Sequence, residues 1–288
     1  MKWPAITYHR ATSLADVWAA FAAHGPSVTI LAGGQTLLAT LAFRLSEPGM
    51  LLDITRIPEL RGITLQGQVL RIGALTRHVE LGRDLLVRQH APLLAQAVPL
   101  IAHPAIRNRG TIGGSLAYAD PAAELPACAV ALDAVVVAAS TAGERRIPAS
   151  AFFTDLLQNA LAPGEIIVAV EIPIQPSLAA IDEVARRSGD YAMAGLAAAM
   201  RVHDGRVLAP RLVYFGVGNG PVLAGAACRA LEGRPLTAES IAAAQAALTT
   251  DLDPPQDLHG PPEMKRHLAR VLTARVLNAW LRPTEMAA

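Results

Sequence analysis

The chain has 288 residues, of which 25 are basic, 24 acidic and two cysteine. A net charge of +1 without a concentrated basic stretch excludes a nucleic-acid partner, since neutralising roughly 6–10 phosphates takes a basic face. Cys128 and Cys228 stand too far apart for a Cys-x-x-Cys pair, and two cysteines are too few for a disulfide framework or an iron–sulfur ligand set.

The length predicts about two domains with a sizeable core that needs neither metal nor disulfide. Apolar residues make up 52% of the chain, yet no run approaches the roughly 18 uncharged apolar residues of a spanning helix. The excess is alanine, 56 residues, which favours packed helices. Met1-Lys2-Trp3-Pro4 lacks the apolar core of a signal peptide, so the sequence predicts a cytoplasmic protein with buried thiols and no membrane span.

Residues 13–23 carry Leu14, Val17, Trp18 and Phe21 at helical spacing behind a Thr12-Ser13 cap signal. Val28-Thr29-Ile30-Leu31 predicts a strand that stops at Ala32-Gly33-Gly34-Gln35-Thr36, after which Leu37, Leu38, Leu41 and Phe43 resume a helical pattern. Strands are predicted at 50–54 and 69–72, one or two helices over 79–97, a helix-to-strand passage over 127–139 and a strand over 166–172. Two prolines in Ile172-Pro173-Ile174-Gln175-Pro176-Ser177 mark a domain boundary. Beyond it, 184–187, 196–203 and 212–217 read as strands of an antiparallel sheet, with 192–200 also compatible with a helix. Helices are predicted over 221–232, 238–248 and 262–281, the last placing Met264, Leu268, Val271, Leu272 and Val276 on one core-facing stripe. The proline-rich stretch 253–262 is a loop.

Two Gly-Gly turns carry the chemical signal. In Ala32-Gly33-Gly34-Gln35-Thr36 a strand hands over to a helix-like stretch, and glycine lets backbone N–H groups approach an anion without Cβ interference. A helix terminus contributes only about 0.3–1 kcal/mol, so tight binding needs further donors. The second turn, in Arg107-Asn108-Arg109-Gly110-Thr111-Ile112-Gly113-Gly114-Ser115, offers two guanidinium groups, the Thr111 and Ser115 hydroxyls and another run of N–H donors. A pyrophosphate spanning both turns accounts for the pair, whereas either alone is more often an ordinary turn. Neither matches a P-loop or Gly-x-Gly-x-x-Gly. Gly216-Val217-Gly218-Asn219-Gly220-Pro221 comes nearest to the latter, but its proline makes it a strand-ending turn. His259 and His267 lack a third metal ligand, Ser115 lacks a hydrolase elbow, and Glu80 and Asp84 read as solvated charges.

Leu31-Ala32-Gly33-Gly34-Gln35-Thr36-Leu37-Leu38, then His103-Pro104-Ala105-Ile106 running into the second turn, then Ala119-Asp120-Pro121-Ala122-Ala123-Glu124-Leu125-Pro126 together resemble the FAD-binding medium subunit of molybdenum hydroxylases. That family includes carbon monoxide dehydrogenase, quinoline oxidoreductase and a domain of xanthine dehydrogenase. Pro163-Gly164-Glu165-Ile166-Ile167, Arg186-Arg187-Ser188-Gly189-Asp190-Tyr191-Ala192 and Asp257-Leu258-His259-Gly260 extend the resemblance over nearly the whole chain. It implies that residues Leu31 to Leu38 and Thr111 to Ser115 (Thr111, Ile112, Gly113, Gly114 and Ser115) clamp the FAD pyrophosphate, with Ile106 and Asn108 in the same binding set. It also implies that Glu124 takes the ribose side of the adenosine half, with Asp120 in the same turn. Ile101 and Ile167 would pack on the cofactor and Tyr191 would lie near the flavin ring. Relatives with a lysine near the flavin differ from this chain, which has Glu183 there. Neither turn contains the histidine or cysteine of covalently flavinylated relatives, so FAD is expected to be held noncovalently.

The expected fold is therefore α+β. A two-subdomain FAD-binding region of the PCMH type spans residues 1–175, dividing near 55, and an antiparallel sheet with helices spans 176–288. The expected function is electron transfer: FAD takes electrons from a small subunit with [2Fe–2S] clusters, after a large molybdenum-cofactor subunit hydroxylates the substrate, and passes them to an external acceptor. A dimer of such heterotrimers is implied. The alternative is a self-contained flavoenzyme whose C-terminal domain binds substrate, although no catalytic acid, base or substrate clamp stands out there.

Overall fold

The computed structural model describes residues 5–174 and 178–281. Met1 to Pro4 and the Gln175-Pro176-Ser177 part of the expected boundary lie outside the described residues. Near the start, Thr7–Arg10, Met50–Asp53 and Val28–Leu31 form a parallel sheet with Met50–Asp53 in the middle, buried along its whole length. Helix Leu14–His24 packs Val17 and Ala20 into the core beside this sheet. Its start is set by a capping box, in which the Ser13 hydroxyl accepts from Asp16 N at 3.2 Å and the Asp16 carboxylate accepts from Ser13 N at 3.1 Å.

A five-stranded antiparallel sheet follows, ordered Ile63–Gln66, Val69–Gly73, Ile166–Pro173, Val135–Ser140, Gly143–Pro148. The central strand is buried on both faces, which explains its unbroken apolar run. Its exception, Glu171, is held by Arg71 from the neighbouring strand Val69–Gly73 and by Arg146 from the edge strand Gly143–Pro148. Leu70, Ile72, Val136 and Ala138 pack against the helical layer, while Val137, Ala139, Ile166 and Val168 share a core with the parallel sheet.

A four-stranded antiparallel sheet, Leu178–Val184, Ala194–His203, Arg206–Phe215 and Val222–Leu223, completes the fold. Strand alternation sends Ala197, Val213 and Phe215 into the core of the five-stranded sheet and helices. Leu196, Met200, Leu212 and Tyr214 face the opposite way, under helices Gly225–Leu231, Ala238–Asp251 and Pro262–Leu281. The α+β class is thus realised, among the described residues, in three main sheets and the small two-stranded sheet Phe153–Asp155 with Gln158–Asn159, with helices between and outside them.

Several elements differ from expectation. The strand expected at 184–187 ends at Val184, because its register is set by pairing with Ala194–His203; Gly189, at φ +86°, turns the chain instead. The stretch 79–97 is three short helices: Asp84 accepts from Leu86 N and Val87 N to open the second, and Pro92 opens the third. Glu80, exposed as expected, and the half-buried Asp84 also cap these helices by accepting from Arg77 N and Leu86 N. On the last helix the buried stripe is Lys265, Ala269, Leu272, Thr273, Val276 and Leu277; Leu272 and Val276 lie on it as expected, whereas Met264, Leu268 and Val271 are half-buried. Lys265 is 1% exposed and bonds the Asp257 carboxylate at 2.5 Å and the Gly216 carbonyl at 3.0 Å. Cys128 is buried and Cys228 only half-buried. Among the described residues no helix is long and apolar enough to cross a membrane.

Candidate functional site

The two glycine turns meet at one cavity of about 530 Å³, within the range of small-molecule and cofactor sites. Gly33 makes their meeting possible. A Cβ there would fall 2.9 Å from Gly110 Cα and closer still to the Arg109 carbonyl oxygen, so only glycine lets the two backbones touch. Gly113 lies equally close to Ala74, whose carbonyl accepts from Gly113 N at 2.9 Å. At Gly114 an added Cβ would meet only the Thr111 hydroxyl.

The turns differ in their donors. In the first, no acceptor among the described residues takes the backbone N–H groups of Gly33, Gly34, Gln35 and Thr36, and the Gln35 side chain closes the turn by donating to Gly33 O at 3.0 Å. In the second, the N–H groups are engaged internally: Ile112 to Thr76 O, Gly113 to Ala74 O, Gly114 to the Thr111 hydroxyl and Ser115 to Thr111 O. The expected run of donors there is therefore absent. The helices that follow, Leu37–Ala42 and Ile112–Tyr118, have only six and seven residues, so individual N–H groups matter more than a macrodipole.

Nor do the expected guanidinium groups face the cavity. Arg107 reaches the carbonyl oxygens of Pro99, Ile101 and Ala102 at 2.9, 3.1 and 3.3 Å, and Arg109 is exposed. Among the described residues the lining contains no lysine or arginine; its acidic side chains are Asp120, Glu124, Glu165 and Asp190. Burial, reinforced by the Glu183 and Asp120 charges, pushes the Glu124 carboxyl up to about 8. Burial and then Asp182 push Glu183 up to about 7, and the Glu183 Oε2 is buried without a partner. Asp120 is also raised by burial. His78, 6% exposed, lines the cavity with its ring against Gly110.

Of the residues expected at the site, Ala32, Gly33, Gly34, Gln35, Thr36 and Leu37 line the cavity from the first turn, and Thr111, Gly113, Gly114 and Ser115 from the second. Ile101, Ile106 and Ile167 supply apolar wall, Asp120 and Glu124 an acidic corner, and Tyr191, 60% exposed, the mouth. Four stand outside the lining. Leu31 and Leu38 pack beside Gly34, Asn108 points to solvent and Ile112 is core. Sequence reasoning missed Ala74, His78, Ala102 and Leu161; none belongs to a glycine turn, so no local signal marked them. Gly110 also lines the cavity and could have been found, since it stands inside the second turn's motif.

The family model described as the FAD binding domain in molybdopterin dehydrogenase matches residues 4–175, and that of the CO dehydrogenase flavoprotein C-terminal domain matches 179–280. The chain belongs to the molybdopterin dehydrogenase flavoproteins. This flavoprotein is 41% identical to the 6-hydroxypseudooxynicotine dehydrogenase complex subunit alpha of Paenarthrobacter nicotinovorans, over 99% of this chain and 98% of that one. Among solved structures it is similar to carbon monoxide dehydrogenase from Hydrogenophaga pseudoflava, with a TM-score of 0.95 and 37% identity over 98% of this chain and 99% of that one. Quinoline 2-oxidoreductase from Pseudomonas putida 86 gives a TM-score of 0.92 and 38% identity over 97% and 98%. The flavoprotein's residues fit a dinucleotide. Residues with unengaged N–H groups line the cavity beside a turn that a Cβ would close, and aliphatic wall lies next to carboxyls.

Proposed function

We propose that this flavoprotein holds FAD noncovalently in the cavity and is the flavin subunit of a molybdenum hydroxylase complex. The observation that carries the reading is the contact of the two glycine turns at Gly33, with four unengaged N–H groups at the cavity. Those four N–H groups take the pyrophosphate oxygens. Ile101, Ile106 and Ile167 exclude water from the cofactor's apolar surface. Glu124, protonated at neutral pH, both donates to and accepts from ribose hydroxyls, and Tyr191 stands beside the ring system. Bound FAD supplies the two-electron acceptance that links one-electron iron–sulfur carriers to an external acceptor.

The partners are a large molybdenum-cofactor subunit, where the substrate binds, and a small [2Fe–2S] subunit, in a cytoplasmic dimer of heterotrimers. Relatives named as complex subunits and matched end to end support this. The division into 1–175, with subdomains near 1–55 and 56–175, and 176–288 is supported by the sheets, each of which draws its strands from one of those spans. The test is to purify the complex and quantify acid-released flavin. One FAD per chain, reducible by substrate only when all three subunits are present, is expected. A complex that takes up no flavin on reconstitution refutes the reading, and reduction by substrate of this chain alone favours a self-contained flavoenzyme.

A further inference from the structure

Leu258 is 91% exposed, more than any other large apolar side chain among the described residues, yet the turn that carries it is tightly fixed. Asp257 and Gly260 exchange backbone hydrogen bonds at 3.3 Å, and the Asp257 carboxylate accepts from His259 N at 2.8 Å and from buried Lys265 at 2.5 Å. Arg186 then donates to Leu258 O at 2.9 Å. This last bond ties the turn to the loop 186–191, whose Gly189, Asp190 and Tyr191 line the cavity, with Tyr191 exposed at its mouth. A serine at position 258 would leave each of these bonds in place, so the fold gains nothing from a leucine held out in water. Scattered exposed leucines are ordinary, but one locked in place beside the mouth of a cofactor cavity is pre-organised for contact.

The surroundings of Leu258 define the partner that fits. Arg186 and Arg187 are exposed, and among the described residues neither pairs with a carboxylate; Asp190 is the one acidic side chain of their loop. Permanent subunits meet over large, mainly apolar areas, whereas brief redox encounters use small contacts with a charged rim. One leucine and one tyrosine beside two unpaired guanidinium groups match the second kind. The cationic rim draws in an acidic partner by long-range attraction. A small acceptor would enter the cavity and leave Leu258 untouched, so the partner is a macromolecule. We propose that the turn 257–260 and the loop 186–191 form the docking surface of the external electron acceptor, a one-electron carrier protein whose acidic face seats on Leu258. The proposal rests on the FAD reading above and names the acceptor's class. Hydroxylation of one substrate by water releases two electrons and two protons; the electrons leave on two carrier molecules and the protons go to solvent.

The test uses the whole complex, with plastocyanin as an acidic one-electron carrier, cytochrome c as a basic one and a short-chain quinone as a small uncharged acceptor. Fluorescence anisotropy of labelled carrier reports binding to flavin-depleted complex, and stopped-flow absorbance reports oxidation of dithionite-reduced complex. Plastocyanin is expected to bind, more weakly as salt rises, and cytochrome c not to bind. Leu258→Ser and Arg187→Glu are each expected to weaken plastocyanin binding and to slow its reduction about tenfold, with quinone reduction and subunit assembly unchanged. Leu258→Ser removes solvent-facing atoms, so folding is not at risk. Unchanged plastocyanin binding in either variant overturns the proposal, as does equal binding of cytochrome c. Loss of a partner subunit from Leu258→Ser assigns this face to the complex's own interface and overturns the proposal too. An equal loss of quinone reduction does the same by placing the defect at the flavin. A complex that takes up no flavin refutes the cofactor reading instead, while the binding measurement, which needs no flavin, still decides the docking surface.

Discussion

Gly33→Ala tests the contact on which the site depends. The added Cβ would fall 2.9 Å from Gly110 Cα and 2.9 Å from the Arg109 carbonyl carbon, against about 3.5 Å for an unstrained carbon contact. Both neighbours are backbone, so no flexible side-chain end can yield, and the turns must part by roughly 0.6 Å or more. A hydrogen bond of about 2.9 Å stretched by that amount lies outside good geometry. Losing one charge-assisted bond to the pyrophosphate costs about 1.5–3 kcal/mol, which corresponds to roughly 10- to 150-fold in affinity. Flavin fluorescence quenching on titration of flavin-depleted complex measures this directly. Gly114→Ala is the comparison, because its Cβ meets only the Thr111 hydroxyl, and it should weaken FAD binding less. Full FAD affinity in Gly33→Ala, with the fold intact by circular dichroism, would refute the argument that the two turns grip one anion.

Three further outcomes follow from the same geometry. Glu124 and Glu183 titrate in the folded protein near 8 and 7, above the ordinary 4.5, so the folded state holds extra protons. Their contribution to stability is complete below about pH 4.5 and is lost as pH rises through 7–8, so Glu124→Gln should raise the thermal midpoint of flavin-depleted protein more at pH 8.5 than at pH 5. Ala119, at φ +55° just after helix Ile112–Tyr118, occupies a left-handed conformation that costs a residue with a Cβ about 1 kcal/mol. Ala119→Gly should raise the midpoint by a few degrees in a thermal scan, and a fall would contradict that account. Lys265→Met leaves the Gly216 carbonyl without its donor and loosens a turn whose N–H bonds Pro121 O at 2.7 Å beside the acidic corner. A loss of about 1–3 kcal/mol in denaturant unfolding is expected.

The glycine turns were legible because strand, turn and helix are encoded in adjacent residues: Val28–Leu31 is β-branched and apolar, and Leu37–Ala42 carries the helical pattern. What those turns donate was not legible. Two of the second turn's N–H groups, those of Ile112 and Gly113, are taken by Thr76 and Ala74, which arrive from another part of the chain, and Arg107 is diverted to carbonyls of its own preceding loop. His78 escaped notice for the same reason: it reaches Gly110 only through tertiary pairing. The misplaced strand at 184–187 is also a tertiary effect, since the register with Ala194–His203 fixes where pairing stops. Asp84, by contrast, carried a cap signal that a closer local reading of 79–97 would have used.

The burial of Lys265 has a practical side. Only two of the 25 basic residues are lysines, Lys2 and Lys265, and the second is sealed under Asp257 and Gly216. Amine-directed cross-linkers can therefore grip this subunit only near its start, and a cross-linking map of the assembled complex would leave its surface almost blank. Carboxyl- or arginine-directed reagents are the ones that can report which of its faces the neighbouring subunits cover.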